Sequence, residues 1–128
     1  MKHESYIVPP NSVILVLGQS ASIEIPPSMT NGVVQATESC IAIGTLSSAD
    51  GPTFVSLSDE LLESLATQAS VFDDTLNTPL KRLTVCTVLK EEFLGIDVPA
   101  SQTRIRIWVN HASEPDKIWI VAGTDSNR

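Results

Sequence analysis

Aromatic side chains are scarce in this sequence, cysteine and histidine scarcer still, and basic residues nearly missing from its first half. Aromatics make up 5% of 128 residues, so a core has to be built from Val, Ile and Leu. Two cysteines, Cys40 and Cys86, cannot form a disulfide framework. They fall in separate predicted strands and read as small buried hydrophobes; bridging them would require those strands to be neighbours. The strongest metal-ligand candidates, His3, Cys40, Cys86 and His111, are scattered singly, with no Cys-x-x-Cys or His-x-x-x-His pair, so neither a metal nor a cofactor is expected. Gly-x-Gly-x-x-Gly, Walker and Gly-x-Ser-x-Gly patterns are missing too, which leaves phosphate-cradling and esterase chemistry without a motif.

Long apolar runs are also lacking. The longest, Val13 to Leu17, is far short of the about 20 residues that cross a bilayer, and Met1 to Ser5 opens no signal peptide. The expectation is a cytoplasmic protein that does not engage membranes.

Positive charge is the last deficit. From Met1 to Asp74 the only basic residue is Lys2, against nine acidic ones, and the formal net charge of the chain is -7. Nucleic acid and anionic lipid both need a basic patch, so neither is an expected partner. An acidic surface suits a basic protein or simple solubility.

What is present is a pattern of short extended segments within the length of one domain, 1–128, with Met1 to Tyr6 and 123–128 expected to fray. Ser12 to Leu17 reads as a mid-sheet strand, and Ala21 to Ile25 as a half-buried one. Gly32 to Thr37 and Ser39 to Leu46 follow, broken near Glu38. Cys40, Ala42 and Gly44 put three small side chains on one face of the second of these, where a neighbour can approach closely. Ser47 to Pro52 reads as a hairpin loop returning into Thr53 to Leu57. One helix is expected from Ser58 to near Ser70, with Leu61, Leu62, Leu65 and Ala69 as its apolar stripe, and Asp73 to Pro79 as a loop. Lys81 to Leu89 and Phe93 to Val98 are further strands. The fold class is mainly β: an antiparallel β-sandwich of about eight short strands with one α-helix; the alternative is an α+β domain with the helix on one curled sheet.

Thr103 to Asn110 and Lys117 to Ala122 carry the most informative pattern. Joined by the loop from His111 to Asp116, they form a hairpin in which Val109 faces Ile118, Ile107 faces Ile120 and Ile105 faces Ala122. That aliphatic side is core. The same register places Trp108 opposite Trp119 on the other side, with Arg104, Arg106, Lys117 and Val121 around them.

Paired indoles beside guanidinium groups are the residue mix of interface centres and aromatic ligand pockets. They are also what stacks to cover a sheet, or packs under the helix. Neighbouring acids such as Glu60 with Glu63, or Asp73 with Asp74, read as solvated charge. A Cys86 and His111 pair is weakened by the mid-strand setting of Cys86, since a reactive thiolate needs an electropositive, partly exposed site. The reading reached is a small acidic interaction protein, of stoichiometric inhibitor or immunity type or self-associating, with Arg104, Arg106, Trp108, Trp119 and Lys117 as its binding residues. The alternative is a small-molecule-binding domain, or an enzyme without a recognisable signature, using the same face.

Overall fold

The structure, a computed structural model, describes residues 2–18, 23, 25, 33–61, 63–111 and 114–123. Two five-stranded sheets face each other across one core. The first has the order β1 (Lys2–Ile7), β5 (Thr53–Ser58), β10 (Lys117–Ala122), β9 (Gln102–Val109), β6 (Phe72–Asn77). The second runs β3 (Val34–Ala36), β4 (Cys40–Gly44), β2 (Val13–Leu17), β7 (Arg82–Thr87), β8 (Glu92–Asp97). A four-residue helix, α1 (Glu63–Ala66), lies between β5 and β6 in the chain.

Alternation explains the two layers. Ile105, Ile107, Ile118 and Ile120 are fully buried and meet Ile14, Val16, Ile41, Ile43, Leu83 and Val85 from the facing sheet. Each such side chain stabilises the fold by about 1.5–3 kcal/mol when buried. The hairpin register is the one the sequence requires: Ile118 opposite Val109, Trp119 opposite Trp108, Ile120 opposite Ile107, Ala122 opposite Ile105. β2, the longest apolar run, sits mid-sheet between β4 and β7.

Several expectations are corrected. The N-terminal residues form an edge strand: Lys2 to Ile7 pair with Ser58 to Thr53, and Ile7 packs on the core. Ser47 to Pro52 does not close a hairpin, because both edges of β4 are taken by β2 and β3; a 3-10 turn at Ser48–Asp50 and Gly51 at φ 128° carry the chain across to the other sheet. There β5 pairs antiparallel with β1 and parallel with β10, so the molecule is not wholly antiparallel.

The expected helix shrinks to Glu63–Ala66 because Ser58 stays in β5, paired with Lys2 and Val121. Its hydroxyl accepts from the Glu60 amide at 2.9 Å, so it caps a turn where a helix start was expected. Asp73 to Asn77, expected as loop, belongs to edge strand β6, held by Leu76 at 0% exposure and by Arg104 on β9, which pairs with Asp73. The expected strand Ala21 to Ile25 and the helical position Leu62 lie largely or wholly outside the described residues.

The cysteines are not neighbours. Cys40 on β4 and Cys86 on β7 are separated by β2, and both are free thiols.

Gly18 ends β2 in contact with the end of β6. A Cβ there would collide with the Asn77 carbonyl oxygen and come within 2.8 Å of the Thr78 methyl. Backbone cannot yield as a flexible side chain would, so Gly18→Ala is expected to lower the unfolding free energy by about 2 kcal/mol in urea titration. An unchanged midpoint would refute this close approach.

Candidate functional site

The outer face of the first sheet is organised in rows set by strand pairing. One row runs Tyr6, Phe54, Lys117; the next runs Glu4, Ser56, Trp119, Trp108; a third runs Lys2, Ser58, Val121, Arg106, Asp73. The five residues singled out in the sequence, Arg104, Arg106, Trp108, Trp119 and Lys117, all lie on this face, but they do not form one open surface.

Leu61 and residues 63–70 cover the part of it that holds Trp108 and Val121, with Trp119 packed against the margin of that cluster. Leu65, 4% exposed, packs on Trp108 and Val121, and Leu61 adds to the same cluster. The Trp108 indole N–H donates to the Gln68 carbonyl oxygen at 3.0 Å, so even its polar edge is satisfied internally. At 4% exposure Trp108 is sealed beneath the covering segment and closed to a partner. Arg106 holds its guanidinium carbon 5.9 Å from the Trp108 ring centroid, a cation–π distance. Arg104 is committed to Asp73 through a bidentate pair, Nε to Oδ1 at 2.7 Å and Nη2 to Oδ2 at 2.6 Å. Its hydrogen bond holds the Asp73 carboxyl below its ordinary value, and Arg106 assists.

The other half stays open. Trp119 is half-buried and sits edge-on to Phe54, with ring centroids 6.4 Å apart; Phe54 in turn lies 5.3 Å from Tyr6. Tyr6 is 73% exposed. Lys117 is exposed at the edge of the strip and has no ion-pair partner among the described residues. Beside it, Asn110 ties the hairpin loop together, accepting from the Asp116 and Lys117 amides and donating to the Asp116 carboxylate at 2.6 Å. The loop is also docked on the crossover between the sheets by Leu46 N–H to Pro115 O and Phe54 N–H to Asp116 O. Exposed acids lie on the elements that frame this face: Glu4 on β1, ion-paired with Lys2 at 3.5 Å, Glu114 in the hairpin loop, and Asp59, Glu60 and Glu63 on the segment after β5.

Tyr6 and Phe54 were not legible as site residues. The one falls in a segment expected to fray, the other in a strand with the wrong expected partner, and only the β1–β5–β10 pairing brings them beside Trp119. Cys86 and His111 belong to different sheets, and His111 Nδ1 accepts the Glu114 amide at 3.0 Å within its own loop. Among the described residues no group of three or more His, Cys, Asp or Glu side chains is placed to share a metal ion. No described helix is long and apolar enough to cross a membrane.

The molecule is thus a mainly-β, two-sheet domain with one short helix and an aromatic strip on its first sheet. Its fold is similar to that of ComJ from Bacillus subtilis, inhibitor of the DNA degrading activity of NucA, with a TM-score of 0.58 and 10% identity over 96% of this chain and 94% of that one. It is also similar to the structure of crocagin biosynthetic gene J, with a TM-score of 0.53 and 12% identity over 97% of this chain and 96% of that one. No family model matches the chain, and no curated protein matches it in sequence.

The two indoles should behave differently. Trp108→Ala empties a sealed site and orphans the Gln68 carbonyl, so a loss of about 3–5 kcal/mol is expected in urea unfolding, with a clearly smaller loss for Trp119→Ala. Equal losses would contradict the covering role of Leu61, Leu65 and Gln68. The Asp73 pair also has a pH signature. A carboxyl lowered in the folded state stabilises it above its ordinary value of 3.8, and that contribution disappears as pH falls through the lower folded value. Asp73→Asn should therefore flatten the acid limb of stability below about pH 4 while leaving its shape at pH 6–8 unchanged; an identical acid limb in the variant would remove the pair from the account.

Proposed function

We propose that this protein is a stoichiometric, inhibitor-type binding domain that takes a basic protein partner on the strip formed by Tyr6, Phe54 and Trp119. The observation that carries this reading is the 73% exposure of Tyr6 at the end of an aromatic strip that crosses two neighbouring rows of the sheet, Tyr6 beside Phe54 and Phe54 diagonal to Trp119. A tyrosine presented on a rigid sheet offers a large contact area at small entropic cost, the property of residues that dominate interface energies. A net charge of -7, with exposed acids on the elements that frame this face, favours a positively charged partner and disfavours a second copy of the same chain. Arg106 and Lys117 sit at the margin of the strip, and Trp108 lies beside Trp119 under the covering segment.

The fold likeness to a nuclease inhibitor supports the same reading. An enzyme that grips DNA phosphates displays the basic surface that an acidic rim complements. The partner class proposed is therefore a basic, DNA-degrading enzyme.

The test is to titrate the purified chain into the DNA-degrading activity of an extract of the cells that make it, followed on linear duplex DNA. Inhibition with a sharp equivalence point is expected, with Tyr6→Ala needing about tenfold more protein for the same effect at an unchanged melting temperature. Undiminished degradation at every dose, or full potency in Tyr6→Ala, would overturn the reading.

A further inference from the structure

The outer face of the second sheet is built differently from that of the first. Leu15, Leu17, Cys40, Ala42 and Cys86 form an apolar cluster there, with Ile23 packed against it. Beside this cluster opens a cavity of about 360 Å³ whose apolar lining includes Leu17, Ile23, Leu80 and Cys86. This is within the roughly 300–1,000 Å³ of small-molecule sites. Leu80 stands 64% exposed at its mouth, an aliphatic side chain with nothing to gain from water.

Cys86 keeps the cavity lining apolar, as Cys40 does the adjoining cluster. Burial pushes Cys40 up to about 12, with Cys86 adding to the rise and Lys90 opposing it, and burial likewise raises Cys86. Both sulfurs are therefore neutral near pH 7 and behave as small hydrophobes.

The rim is charged, and its charges are not equivalent. Arg82 is paired with Glu92 at 2.8 Å and reaches Asp97 at 3.8 Å, one guanidinium between two carboxylates, so it offers no free positive charge. Lys90 lines the same cavity and has no ion-pair partner among the described residues. Its position is fixed by the turn between β7 and β8. The Thr87 hydroxyl accepts the Leu89 and Glu91 amides, the Thr87 carbonyl accepts the Lys90 amide at 2.8 Å, and Lys90 itself adopts φ 63°, which a non-glycine residue rarely does. A strained backbone thus presents one uncompensated ammonium beside an apolar recess.

We propose that this recess is a binding site for a small amphipathic monoanion, an aliphatic or aromatic carboxylate whose hydrocarbon part lies on Leu17, Ile23, Leu80 and Cys86 while its carboxylate meets Lys90. Charge complementarity selects the head group: in a chain of net charge -7, an anion binds where a cation is locally unopposed. The site stands on the opposite sheet from the aromatic strip and does not depend on the partner reading above.

The probes are octanoate, 1-octanol and octylammonium, titrated into the full chain and followed by NMR chemical-shift changes. Octanoate is expected to saturate and to bind about fivefold more tightly than 1-octanol, the worth of one exposed ion pair. Octylammonium should bind no better than the alcohol. Lys90→Gln should bring octanoate down to the level of 1-octanol, Lys90→Arg should restore it, and Leu80→Asp should weaken octanoate and octanol together. Both positions are exposed turn residues, so the variants should melt with the wild type. Tyr6→Ala should leave octanoate affinity untouched, which separates this site from the aromatic strip. Absence of saturation by octanoate, equal binding of octanoate and octylammonium, or an affinity indifferent to Lys90→Gln would each overturn the proposal.

Discussion

Ile105, Ile107, Ile118 and Ile120 point into the space between the sheets and are fully buried there. Strand side chains alternate, so the choice that buries them also sends Arg104, Arg106, Trp108 and Trp119 to the opposite side. A one-residue slip would exchange the two sets. It would expose isoleucines worth about 1.5–3 kcal/mol each and drive two guanidinium groups into an apolar core without partners, which costs still more. The register of β9 with β10 is therefore strongly specified, and the outer face of the first sheet is its by-product.

That by-product is divided by a second constraint. Two adjacent indoles on one face expose more apolar surface than a soluble domain usually leaves open. The chain answers by laying Leu61 and residues 63–70 over one of them, with Leu65 as anchor and the Gln68 carbonyl as the acceptor for the Trp108 N–H. Beyond Trp119, at the margin of this cover, Phe54 and Tyr6 continue the aromatic strip towards solvent on β5 and β1. One part of the face thus supports the fold, and the other is left exposed.

The hairpin and its core side were legible because alternation there is strict and the inward residues are β-branched. β2 was legible because an unbroken apolar run fits a strand buried on both faces. What escaped the sequence was decided by pairing between distant segments. β1 has a polar composition that resembles a tail, and it is a strand because β5 offers it an edge. β6 carries Asp73 and Asp74, poor strand formers, and Asp73 is offset by Arg104 on β9, about thirty residues away in the chain. The helix was overread because Leu61, Leu62 and Leu65 satisfy a helical period, although Ser58 is held in β5 and the segment that follows is shaped by Trp108. Among the candidate site residues, parity gave the correct face for all five. It could not show that Trp108 is sealed, which depends on Leu65 and Gln68 packing over it, or that Tyr6 and Phe54 complete the strip, which depends on the strands that lie beyond β10.

A division of one aromatic face into a sealed half and an open half is the claim on which both the fold of this region and its proposed use rest. Hydrogen exchange of the two indole N–H protons, followed by NMR on the full chain, tests it directly. The expected result is a Trp108 indole proton protected through its bond to Gln68 and exchanging orders of magnitude more slowly than that of Trp119. Two indole protons exchanging at the same fast rate would contradict it, because Leu65 and Gln68 would then leave Trp108 as accessible as its neighbour.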